Sequence, residues 1–157
     1  MQLINSSLDF LLIIFVLFIG FIITLISAKA LSLPSGRAML IYFWHTFFSF
    51  IYAWYTIKFY GDSLFYYREA QNGIQPFGLS TQSIIYITSI IYEILEISFL
   101  GMGLVFSIFG LIGLLIFDSI LRFITKNKSR NIKILETFVV FLPSVSFWSS
   151  GLGKDAV

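Results

Sequence analysis

Apolar positions run almost unbroken through four stretches of this chain: residues 8–28, 38–59, 99–121 and 134–149. The first reads LDFLLIIFVLFIGFIITLISA, with one charged residue in it. Runs of about 20 apolar residues match the hydrocarbon thickness of a bilayer when coiled as helix. Inside hydrocarbon, only helices and closed barrels satisfy every backbone group. A barrel strand would alternate polar and apolar positions over ~10 residues, and these runs do not alternate. The pattern therefore predicts an all-α integral membrane protein, with about four transmembrane helices in a single domain over residues 1–157. A fifth segment, 81–97, mixes apolar residues with Glu93 and Glu96 and predicts an amphipathic helix lying on the outer surface. If that segment spanned as well, the chain would have five crossings.

Composition agrees with this pattern. The chain is 58% hydrophobic and 11% charged, whereas soluble domains carry roughly 25% charged residues. A net charge of +2, without a clustered basic groove, argues against a nucleic-acid partner. The absence of cysteine excludes disulfides, zinc–thiolate sites and iron–sulfur clusters. One histidine in the whole chain leaves few partners for any other metal, so neither cofactor nor metal is indicated.

The charges also predict an orientation. The links 29–37 and 122–133 carry Lys29, Arg37, Arg122, Lys126, Lys128, Arg130 and Lys133. Cytoplasmic links are enriched in Lys and Arg, which puts both inside and puts the loop 61–80 outside. That loop opens with FYGDSLFYYREAQNG, where Asp, Arg and Glu interrupt an aromatic stretch. Asp62 is either a turn residue in Gly-Asp-Ser or a carboxylate presented at the membrane surface for chemistry, since ionisable groups near bilayers tend to be functional. Arg68 and Glu69 are either a solvated pair or a phosphate-binding pair, and Tyr66 is the aromatic beside them that would contact a substrate. His45, deep in the second run, suits a hydrogen bond to a neighbouring helix or a proton relay. Gly103, Ser107 and Gly110 share one helical face and predict close approach of a partner helix. Asp118 continues that face toward Arg122 or another basic neighbour, and Pro143 predicts a kink in the last run.

Two stretches resemble a known family. YGDSLFYYREAQNG after a transmembrane helix looks like the first outer loop of GT-C-type, lipid-carrier-dependent glycosyltransferases. FLPSVSFWSSGLGKDAV looks like a helix end common in bacterial membrane proteins of surface-polysaccharide assembly. The resemblance implies a multi-pass protein of the bacterial cytoplasmic (inner) membrane that transfers sugar from a polyprenyl-phosphate-linked donor. It maps the loop carboxylate onto Asp62 and a second acidic position onto Asp155, with Lys154 or Arg68 meeting the carrier phosphate. The family has more spans than this chain, so the chain is expected to be the amino-terminal part of a longer protein. The competing expectation is a non-enzymatic membrane subunit or scaffold that acts through helix packing alone.

Overall fold

The computed structural model describes residue 4 and residues 6–153. Seven helices follow one another, with no strand among the described residues: α1 (Ser7–Ala30), α2 (Ser35–Phe59), α3 (Asp62–Ala70), α4 (Thr81–Leu95), α5 (Phe99–Thr125), α6 (Arg130–Val140) and α7 (Pro143–Ser149). The chain is thus an all-α protein of the membrane class. Three stretches are long and apolar enough to cross a bilayer: α1, α5, and Arg130–Ser149 taken as one. The remaining expected span, α2, is 25 residues long, but its tyrosines, tryptophans and histidine lower its hydropathy. It nonetheless runs between α1 and α5, touching both.

Helices α1, α2 and α5 form the central bundle. Tyr42 on α2 donates its hydroxyl to the Leu17 carbonyl of α1 at 2.8 Å. A side chain on Gly20 would come within 3.2 Å of the Tyr42 ring, so glycine there lets the two helices approach closely. On the other side, His45 Nε2–H donates to the Ser107 carbonyl of α5 at 3.1 Å. His45 therefore makes the interhelical bond, with α5 as its partner. The outward faces remain apolar: Phe10, Ile14, Phe18 and Ile22 on α1 are all exposed, at a four-residue spacing that keeps them on one side of the helix. A surface of that kind suits lipid rather than water.

Both ends of the bundle are pinned by polar contacts. At one end Asp9, which is buried, accepts the Ser98 backbone N–H at 2.9 Å. That bond joins the start of α1 to the start of α5. The end of α2 and the α3–α4 pair lie at this same end, because Tyr67 of α3 donates to the Ile97 carbonyl just before α5 at 2.8 Å. Helix α4 has 15 residues, which at 1.5 Å each is about 22 Å, short of a crossing. It packs chiefly on α3. Tyr67 is the keystone of this layer, buried edge-on between Tyr92 and Phe99, each 5.6 Å away. Tyr67→Phe keeps the ring and removes the hydroxyl, which strands a buried carbonyl. The expected loss is about 1–2 kcal/mol, read as a lowered unfolding midpoint in detergent.

Two sequence expectations change here. The loop 61–80 contains a nine-residue helix, α3, where only a polar loop was predicted. Its Leu64, Tyr66, Tyr67 and Ala70 are buried, so tertiary packing rather than hydropathy produces it. The last run, predicted as one kinked helix over 134–149, is two helices. Leu142 is extended (φ −60°, ψ 124°), as steric clash with a following proline requires. Pro143 then starts α7 at a position where its missing N–H costs nothing.

Candidate functional site

Helix α2 ends abruptly. Tyr60 adopts the left-handed conformation (φ 55°, ψ 50°) and its N–H bonds back to Thr56. Gly61 follows, with its N–H also reaching the Thr56 carbonyl at 3.2 Å. A β-carbon on Gly61 would press on Thr56 at 3.1 Å, so the residue is small because the chain doubles back on itself. Helix α3 begins at the next residue, and Asp62 is therefore its first residue. It does not sit in an open turn. A carboxylate in the first turn of a helix is favoured by the positive end of the helix dipole.

Asp62 lines a cavity of about 380 Å³. Its walls are Tyr52, Tyr55 and Phe59 of α2, Ser63 and Tyr66 of α3, Trp148 of α7, and Leu152 and Gly153 beyond α7. The volume falls in the range of small-molecule sites. The Tyr52 and Ser63 hydroxyls are bonded to each other at 2.6 Å, fixing α3 against α2. Phe147 stacks edge-on against Tyr52 at 5.2 Å and Tyr55 at 5.4 Å, bringing α7 to the same wall.

Of the side chains singled out in the sequence, Asp62 and Tyr66 come together in this cavity. Arg68 is exposed on α3 and Glu69 half-buried. Neither lines the cavity, and they form no ion pair with each other. Lys154 and Asp155 lie outside the described residues, although Gly153, one position earlier, lines the cavity with Asp62. Lys58 is the cation on the nearest stretch of α2, and its ammonium sits over the Trp54 ring at 5.0 Å. Glu93 and Glu96 are exposed. In the small-residue face of α5, Ser107 meets α2 through its carbonyl, and Gly110 lies against the Ser149 backbone of α7. Gly103 has open space where a side chain would be.

The opposite end holds a polar centre that the sequence reading missed. Arg37, at the start of α2, grips Asp118 of α5 with Nε and Nη2, at 3.0 and 2.6 Å. It also donates to Glu136 at 2.9 Å and to the Thr137 hydroxyl at 3.0 Å, both on α6. Asp118 is fully buried, and the Glu136 side chain is 6% exposed. Thr125 donates to the second oxygen of Glu136. Asp118 was expected to pair with Arg122 or another basic neighbour. Its partner stands 81 residues away in sequence, because the start of α2 lies beside the end of α5. One guanidinium thus ties three helices together.

Set against protein families, curated proteins and solved structures, the chain finds no match.

Proposed function

We propose that the chain takes part in glycosyl transfer from a polyprenyl-phosphate-linked sugar, at the end of the bundle that carries α3 and α4. The observation behind this reading is the cavity that Asp62 shares with Tyr52, Trp148 and Gly153. An exposed carboxylate at the mouth of an aromatic-walled pocket, level with the ends of apolar helices, suits an acceptor hydroxyl arriving from water and a lipid donor arriving from the membrane. In the proposed reaction the bond from the sugar C1 to the phosphate oxygen breaks, and C1 bonds to the acceptor oxygen. Asp62 takes the acceptor proton, and the phosphate leaves on its lipid. Asp155 and Lys154 keep their proposed roles as second acidic group and phosphate contact, whereas Arg68 lies off the cavity. Lysines and arginines gathered at the opposite end favour an orientation with that end in the cytoplasm. The proposed site then faces outward from a multi-pass protein of the bacterial inner membrane.

The test uses the chain in lipid nanodiscs with synthetic polyprenyl-phosphate sugars as donors and hydroxyl-bearing glycans as acceptors, following release of polyprenyl phosphate together with glycosylated acceptor. Asp62→Asn is expected to lower the rate about a hundredfold, the lower range for losing a general base. Glu93→Gln, an exposed change away from the cavity, leaves it unaltered. No transfer by the native chain sinks the enzymatic reading.

One observation favours the second reading, a non-enzymatic membrane subunit. Asp62 is exposed and forms no ion pair among the described residues, as a merely solvated helix-start carboxylate would. On that reading, Asp62→Asn changes nothing beyond a few tenths of a kcal/mol of helix stability.

A further inference from the structure

At the end opposite Asp62, a second cavity of about 480 Å³ opens between the α1–α2 link, the last turns of α5 and the start of α6. Four cationic side chains line it: Arg37, Arg122, Lys126 and Lys133. Only Arg37 is neutralised, by Asp118 and Glu136. Arg122, Lys126 and Lys133 form no ion pair or side-chain hydrogen bond among the described residues. The single carboxylate in the lining, Glu136, has both oxygens engaged, by Arg37 and by Thr125. The cavity therefore offers a metal cation nothing, and it offers an anion three unspent charges. The exposed hydroxyl of Ser32 adds a donor at the rim.

We infer that this cavity binds an anionic phosphate head group, and that the source of the head group is a membrane lipid. The rim supports the lipid source. Phe123 lines the cavity and is 82% exposed, and Ile120 and Ile124 beside it on α5 are exposed as well. An acyl chain has apolar surface to follow directly from the charged pocket. The site sits where the apolar bundle surface gives way to charge, at head-group depth. Basic pockets between helices at the cytoplasmic surface suit such head groups. The inference is independent of any role for Asp62, which lies at the other end of the bundle.

The experiment is native mass spectrometry of the purified chain in neutral detergent. Phosphatidylglycerol, phosphatidylcholine and inorganic phosphate are titrated separately. Two variants with equal charge loss are compared. The first, Arg122→Gln with Lys126→Gln and Lys133→Gln, strips the cavity. The second, Lys29→Gln with Lys128→Gln and Arg130→Gln, removes three charges at the same end but outside the lining. The native chain is expected to hold phosphatidylglycerol at least about tenfold more tightly than the cavity variant does, since each cation near the surface contributes appreciably. The control variant stays within about twofold of native. Equal loss in both variants would mean diffuse attraction and would overturn the site. Phosphatidylcholine binding as tightly as phosphatidylglycerol overturns it too. Inorganic phosphate matching the lipid overturns the lipid source. If the triple variant does not fold, Lys126→Glu carries the same test on one exposed side chain.

Discussion

Replacing Arg37 by methionine is expected to destabilise the chain by about 3–5 kcal/mol, the usual result of removing one partner from a buried ion cluster. The size follows from what remains. Asp118 would stay fully buried with its main counter-charge gone. Glu136 would keep only the Thr125 hydroxyl among its present side-chain partners. Asp118, sealed from water, would hold its charge without that partner, and the two carboxylates would repel each other. The helices also lose their mechanical link, since Arg37 bridges α2 to both α5 and α6. Arg37→Lys should restore only part of the loss. A lysine ammonium cannot reproduce the fork that meets Asp118 through two nitrogens while also reaching Thr137. The double change Arg37→Met with Asp118→Leu should recover stability relative to Arg37→Met alone, because apolar pairs often replace buried ion pairs at little cost. Unfolding midpoints in detergent decide the matter. If Arg37→Met melts with the native chain, the cluster does not hold this end together.

That cluster marks the boundary of what the sequence discloses. Hydropathy exposes α1 and α5 within a few residues, because each must present apolar surface along its whole length. It also reveals the break near Pro143, although one run split in two was read as a single kinked helix. Helix α3 stayed hidden. Its Asp62, Arg68 and Glu69 look like loop chemistry, and its buried tyrosines gain meaning only once Ile97 and Phe99 are seen against them. The sequence sends Asp118 to Arg122 or another basic neighbour, and which basic residue it meets depends on which helix starts beside it. One signal was available: Asp118 and Glu136 are acidic residues within a segment otherwise rich in Lys and Arg. Acidic groups retained there have a cation to meet. Tyr66 and Asp62 stand in one motif, and they share a cavity because the left-handed Tyr60 turns α3 back against α2. The sequence could not indicate that Trp148 would form the far wall, since that depends on how α7 docks.

The docking of α7 hinges on one glycine, and Gly110→Leu is expected to cost about 3 kcal/mol, at the upper end of overpacking losses. A β-carbon at Gly110 would run into the Ser149 carbonyl, and it would lie only 3.2 Å from the Ser149 β-carbon. The obstacle is mostly backbone, which cannot swing aside as the tip of a long side chain can. Helix α7 has 7 residues and must move as a unit. Movement separates Phe147 from Tyr52 and Tyr55, and it carries Trp148 and the Leu152–Gly153 segment away from Asp62. The substitution therefore acts on both the fold and the candidate site, although position 110 lies outside the cavity lining. Gly103→Ala is the matched control on the same face. Nothing lies within 4 Å of its β-carbon position, and alanine is the better helix former by up to about 1 kcal/mol. It should leave the midpoint unchanged or raise it. Thermal unfolding of the two variants side by side separates two meanings of the small-residue face. Loss confined to Gly110→Leu means that the face serves α7 of the same chain. Loss at both positions means that Gly103 is also covered, by a helix from outside the described chain.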